Sequence, residues 1–154
     1  MTKEEAIELC KEGNNYYDEE KYWKAISIYN KVIEMDPKYK WPWFNKGLSF
    51  YMLARSTKKN KYLRNAVEPL EKAVLLDPNF MEALLTLVSV HAGLKNIQKM
   101  VEYFKRAEQI DPNHPQVKKS AKDIHKMEQL REKTIKEYED ILDMVKKGMK
   151  NREN

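Results

Sequence analysis

The 154-residue chain holds one cysteine, Cys10, and three histidines. A lone thiol cannot close an intramolecular disulfide, and three scattered imidazoles do not complete a zinc ligand set, so neither staple is available. That usage points to a reducing compartment, the cytoplasm. Glycine and proline are also scarce, at four and six residues; this excludes collagen-like and Pro/Gly-rich disordered chains and favours helices. No apolar run approaches the roughly 18 residues a membrane-spanning helix needs. The opening MTKEEAIELC sets acids where a secretory leader has a cationic start followed by an apolar stretch. Neither membrane spanning nor secretion is therefore expected. Phosphate-cradling glycine loops, a G-x-S-x-G elbow and an H-E-x-x-H pair are missing too, which removes the common catalytic motifs. His91 is expected in a hairpin core or at its edge, His114 in a linker and His125 on the tail helix. None has a cysteine or carboxylate placed to form a ligand set or a dyad. Cys10 has no evident activating cation except Lys11, which predicts an inert thiol. The sequence predicts no enzyme, no cofactor and no metal.

What is present is a globular composition, 42% hydrophobic and 34% charged. A chain of this length buries roughly two-thirds of its unfolded surface on folding. The net charge of +5 is spread thinly. Residues 1–60 carry 11 bases and 9 acids, 61–112 seven of each, and 113–154 carry 11 and 8. One local imbalance stands out. Between Asp36 and Glu68 there is no acid, while Lys38, Lys40, Lys46, Arg55, Lys58, Lys59, Lys61 and Arg64 fall inside.

Compared with itself, the chain repeats at an offset of 34 residues, the period of helix-turn-helix arrays. Gly13 maps to Gly47, Tyr16 to Phe50 and Leu9 to Trp43; Ala73, Asp77 and Pro78 recur as Ala107, Asp111 and Pro112. Pro37 and Pro78 lie 41 apart, so the second unit has seven extra residues between Phe50 and Ala66. Seven residues are about two helical turns. The simplest reading lengthens both helices of the second hairpin, with ARSTKKNKYLRN at its tip; a looped-out insertion is the alternative. Small residues at Gly13, Gly47, Ala25, Ala66, Ala73 and Ala107 let antiparallel helices approach closely, while Tyr16, Phe50, Tyr29 and Phe104 fill the layers between. Asp36-Pro37, Asp77-Pro78 and Asp111-Pro112 end the second helix of each unit, because the residue before proline avoids the helical conformation. Pro69 falls inside a returning helix and predicts a slight kink.

In these residues the chain resembles the tetratricopeptide repeat family, with units at about 6–39, 40–80 and 81–114. The units read Leu9, Gly13, Tyr16, Ala25, Tyr29, Pro37; Trp43, Gly47, Phe50, Ala66, Leu70, Pro78; and Leu84, Val88, His91, Met100, Phe104, Pro112. The third departs from the family pattern at Val88, His91 and Met100. The resemblance implies an all-α, right-handed α-solenoid of three antiparallel helix hairpins over 1–112. A capping helix over 113–154 completes it.

That helix is expected from near Gln116 to about Lys150. Val117, Ala121, Ile124, Met127 and Leu130, then Ile135, Tyr138, Ile141, Leu142, Val145 and Met149, form an apolar stripe. The polar stretch 128–133 is expected to mark a bend or break. The first half should cap the third hairpin. The second half folds back, pairs with another copy as a coiled coil, or frays, and the sequence leaves these open.

The resemblance also assigns a concave face to the first helix of each hairpin, where the family binds extended peptides or a partner's helix. The implied lining is Ile7, Cys10, Lys11, Asn14 and Tyr17, then Trp41, Phe44, Asn45, Leu48 and Tyr51, then Glu82, Leu85, Thr86 and Ser89. Trp41, Phe44, Leu48, Tyr51 and Leu85 are not needed for hairpin packing, and such an apolar patch marks a binding site. Alternatively, the chain's own tail covers it. One subgroup of the family clamps terminal carboxylates with cations and two asparagines. Asn14 and Asn45 match the asparagines, but Cys10, Glu82 and Thr86 stand at the cationic places. That argues against a dicarboxylate ligand and leaves the amides to bond a peptide backbone.

The expected function is a non-enzymatic adaptor for a protein or peptide partner. The basic tip of Arg55, Lys58, Lys59, Lys61 and Arg64 would favour acidic flanks. Two alternatives remain: a homo-oligomer through groove or tail, and a single-stranded nucleic-acid binder through 37–67. The second is disfavoured, since Trp43 and Phe50 are claimed by packing and no nucleic-acid signature accompanies the charges.

Overall fold

The computed structural model describes residues 2–150. Among these the chain is all helix: α1 (Lys3–Asp18), α2 (Tyr22–Met35), α3 (Lys40–Thr57), α4 (Asn60–Leu76), α5 (Met81–Gly93), α6 (Ile97–Ile110) and α7 (Pro115–Lys150). Each helix packs on the next in sequence, the nearest-neighbour arrangement of a solenoid. Thr2 starts α1 with a capping box. Its hydroxyl accepts from the Glu5 N–H at 3.2 Å and the Glu5 carboxylate accepts from the Thr2 N–H at 2.7 Å.

The two kinds of connection repeat. Inside each hairpin the chain turns through one left-handed residue, Glu20, Lys58 or Lys95, with φ of 57–58°. Between hairpins the three Asp-Pro steps form one and the same turn. Asp36, Asp77 and Asp111 each accept, through a carboxylate oxygen, from the N–H two residues on, at 3.0, 3.1 and 2.9 Å. Their carbonyls accept from the N–H three residues on. The aspartate thus closes a side-chain turn that mimics a backbone turn, and the proline stops the helix.

The extra seven residues lengthen both helices of the second hairpin, as the simpler reading expects. α3 and α4 have 18 and 17 residues, against 13 and 14 for α5 and α6. Lys58 and Lys59 alone connect them, so the looped-out alternative is excluded. Pro42 lies in the first turn of α3, where no intrahelical donor is lost. α4 runs through Pro69.

α7 begins one residue earlier than expected, at Pro115, because proline suits the first helical position. It also runs unbroken through 128–133, so the expected bend or break is absent. Glu, Gln, Arg and Lys are good helix formers, and a polar stretch on an exposed helix does not end it. Val117 and Ile124 bury α7 against α6. Lys105 pairs there with Glu128, and His125 Nε2 lies 3.2 Å from Glu108.

The hairpins close over small residues. A Cβ on Gly13 would stand 2.6 Å from the Tyr29 ring, and one on Gly47 only 2.5 Å from Leu70 Cγ and 3.2 Å from the Ala66 carbonyl. In the third unit His91 takes the aromatic's place in the core. It stacks on Tyr103 at 5.5 Å and 15°, with neither ring nitrogen hydrogen-bonded. Burial pushes its pKa down, opposed by the Glu71 and Glu102 carboxylates and assisted by Lys99.

Gly47→Ala should destabilise the fold by about 1–3 kcal/mol, since the new methyl must displace a fully buried leucine. Gly148→Ala, with nothing within 4 Å and a helical position that favours alanine, should not lower the urea midpoint. For His91 the unfolded chain takes up a proton more readily than the fold does. Stability is therefore full above the free-histidine range and lost as pH falls through it. Urea midpoints measured from pH 7.5 to pH 5 should fall more in the wild type than in His91→Phe.

Candidate functional site

The first helices α1, α3 and α5 lie side by side, α1 touching α3 and α3 touching α5, so their outer faces form one concave surface. At its α1–α3 end is a shallow depression of about 240 Å³ lined by Ile7, Cys10, Lys11, Asn14, Tyr39, Trp41 and Asn45. A hydrogen-bond chain fixes its polar edge. The Tyr29 hydroxyl donates to Asn14 Oδ1 at 2.8 Å, and Asn45 Nδ2 donates to the same oxygen at 2.9 Å. With that oxygen doubly engaged, the Asn14 amide is held in one orientation and its NH2 points away from both donors. The Asn45 side chain acts on the Cys10 thiol in the lowering direction, against the larger effect of burial. Cys10 is buried at the base of the depression, and burial raises its thiol pKa. The group is therefore neutral at physiological pH, as the expected inert thiol requires.

The apolar lining divides in a way the residue pattern does not show. Trp41 is 41% exposed, whereas Phe44 is 8% exposed and belongs to the core. Phe80, which precedes α5, packs on both rings at centroid distances of 5.0 and 4.9 Å and so turns Phe44 inward. This is a correction to its placing as a surface anchor. Tyr17, Leu48, Tyr51 and Leu85 are half-buried against the same core. Trp41 is left as the exposed aromatic of the set. The structure also adds Tyr39 to the lining. Tyr29, read as a layer filler, turns out to orient Asn14; the signal for it was a tyrosine where phenylalanine would have filled the layer equally well.

One cation, Lys11, lines the depression, and the other charges sit away from it. Lys11 pairs with Glu8 at 3.0 Å, and Lys40 pairs with Asp77 while lying over the Phe80 ring. In the third unit Glu82 is exposed, and the Thr86 and Ser89 hydroxyls donate back to their own helix at 2.6 and 3.1 Å. This end of the face thus offers acceptors. Arg55, Lys58, Lys59, Lys61 and Arg64 are all exposed at the tip of the long hairpin. Arg55 lies over the Tyr51 ring and Lys61 over Tyr62. Exposed Trp23 leans edge-on against Tyr62 and Phe50 beside them. α7 packs on α6, and Trp41 on α3 stays exposed. Among the described residues no group of three or more His, Cys, Asp or Glu could hold a metal. No helix of theirs is long and apolar enough to cross a membrane.

Stacked helix pairs with a lined concave face define a helical-repeat scaffold. The comparisons make the class specific. The family described as "TPR repeat" matches residues 13–53, and "Tetratricopeptide repeat" matches 43–80 and 82–114. The chain belongs to the tetratricopeptide repeat family. Among curated relatives, DnaJ homolog subfamily C member 7 of Homo sapiens is 28% identical over 139 residues, 90% of this chain and 25% of that protein. The Hsp70-Hsp90 organizing protein of Triticum aestivum is 25% identical over 112 residues, 73% of this chain and 18% of that protein. The chain thus spans a quarter or less of the length of these relatives. Of solved structures, the first tetratricopeptide domain of Spaghetti (RPAP3), bound to the HSP90 peptide SRMEEVD, superposes with a TM-score of 0.71 at 20% identity, over 82% of this chain and 98% of that one. The MamA protein gives 0.70 at 20% identity, over 85% and 68%. At such identities these structures establish the fold.

The division of the aromatic lining is open to a direct check. Phe44→Ala should cost about 3 kcal/mol or more in urea unfolding, the loss typical of a buried ring. Trp41→Ala should cost well under half of that.

Proposed function

We propose that the chain is a non-enzymatic adaptor that holds an extended peptide segment on its concave face. The observation that carries this reading is the Tyr29–Asn14–Asn45 hydrogen-bond chain, which presents oriented amides beside the open Trp41 ring. Amides of this kind bond any peptide backbone, and the indole supplies an apolar anchor. Similarity to chaperone-associated relatives supports a protein partner.

The ligand's chemistry differs from that of the peptide SRMEEVD held by the Spaghetti domain. A terminal dicarboxylate would meet a neutral thiol at Cys10, an acid at Glu82 and a hydroxyl at Thr86, and no charge-assisted bond forms at any of them. We therefore assign a segment with an apolar side chain for Trp41 and a backbone for Asn14 and Asn45. Its acidic flank would be drawn to the cluster of Arg55, Lys58, Lys59, Lys61 and Arg64.

A peptide-display selection against the full chain tests this, run beside the Trp41→Ala, Asn45→Ala double variant, which spares the buried Phe44. Enrichment of a common apolar motif by the wild type and its loss in the folded double variant are expected. Equal enrichment by both proteins would remove the groove from the account. The peptide SRMEEVD should bind the wild type at least roughly tenfold more weakly than it binds a Glu82→Lys, Thr86→Lys variant that supplies charge-assisted partners. Equal affinity would overturn the ligand assignment.

A further inference from the structure

α7 has 36 residues, yet it is its first half that packs on the rest of the molecule. From Glu132 to Lys150 every residue is exposed. That segment is nonetheless not polar all round. Ile135, Tyr138, Leu142, Val145 and Met149 follow one another at alternating steps of three and four, the spacing of a coiled-coil seam. They are 42–68% exposed. The seam runs into an open groove of about 580 Å³ lined by Ile97, Met127, Leu130, Arg131, Thr134 and Ile135, so the apolar surface is continuous from α6 to the end of the helix. A helix carrying such a stripe is stabilised only when something covers it.

We propose that a second copy of this chain covers it, the two α7 helices packing antiparallel. The charge sequence selects both partner and direction. Residues 137–143 contain Glu137, Glu139, Asp140 and Asp143 and no cation, while Lys146 and Lys147 follow directly. Of these only Glu139 and Lys146 flank the seam, with Glu132 one heptad earlier; in a parallel pair they would face Thr134, Ile141 and Met127 of the other copy, so no unlike charges meet. Antiparallel packing sets unlike charges together. Two registers stack apolar on apolar. One places Ile135 on Val145 and Tyr138 on Leu142; the other places Tyr138 on Met149 and Leu142 on Val145, each contact made twice by the two-fold axis. In the first register Lys146 of one copy meets Glu132 of the other, but Glu139 meets its own copy; in the second Lys146 meets Glu139, so the charges favour the second. A seam of about two heptads gives a dimer with a Kd on the order of micromolar. The contact lies on α7, away from the concave face, so it stands or falls independently of the peptide-binding reading.

Sedimentation equilibrium on the full chain should show a mass rising with concentration from 18.4 kDa towards twice that value. Leu142→Asp should hold the mass at that of one chain, and at concentrations where both proteins are monomeric its helicity and urea midpoint should match the wild type, because Leu142 is exposed in the single chain. Lys146→Glu should weaken association at least roughly tenfold, and mixing it with a Glu132→Lys, Glu139→Lys variant should restore a dimer of the two. A one-chain mass at hundreds of micromolar would overturn the proposal, as would a dimer that survives Leu142→Asp. A dimer abolished by Leu142→Asp but indifferent to Lys146→Glu would overturn the antiparallel arrangement.

Discussion

The structure depends on how closely two helices approach within each hairpin. Gly13 lies against the Tyr29 ring and Gly47 against Leu70, with no room for a methyl group at either. Ala25, Ala66, Ala73 and Ala107 are fully buried. At that distance the first helix of each pair is pressed to one side and the three first helices fall into a row. The concave face is a by-product of hairpin closure, and a residue's place on it follows from its offset from the small residue that closes the hairpin.

For that reason the fold was legible and the site only in part. Small residues, aromatics and Asp-Pro steps recur because the same contacts recur, so the period of 34, the long second hairpin and the capping helix could all be read from one chain. Asn14 and Asn45 could be placed on the face by the same phase. The burial of Phe44 could not. It is decided by Phe80, which stands just before α5 at the turn position that Tyr39 and His114 take in the neighbouring units; the repeat places Phe80, but which way its ring packs between two units is settled only by the side chains that meet there. The bridge from Tyr29 to Asn14 was hidden for a different reason, since one side chain both fills a layer and orients an amide. The break expected in α7 came from reading polarity as an end signal, where an exposed helix needs only residues that favour helix.

Under the proposed adaptor role, a common scaffold is turned to a different ligand without altering its backbone. The depression keeps two amides and an indole, and the positions around them hold a buried neutral thiol, an exposed acid and a hydroxyl tied to its own helix. Each of these replaces a charge that would reward one peptide terminus by a group that does not, so selection passes to shape and backbone. The basic side chains are gathered instead at the tip of the second hairpin, where Arg55, Lys58, Lys59, Lys61 and Arg64 are exposed.

The length of that second hairpin has a kinetic meaning as well. In a solenoid the contacts are local, so any unit can form first and its neighbours zip onto it. Here the longest pair sits in the middle, carries the largest share of the core and is flanked by shorter pairs on both sides. It is the natural seed of folding and the last part to open, with unravelling entering from the two ends. Asn14 and Asn45, which meet at the site, belong respectively to an end unit and to the seed. That pairing of amides is therefore assembled when the first unit docks and is dismantled when that unit alone lets go, long before the rest of the chain unfolds.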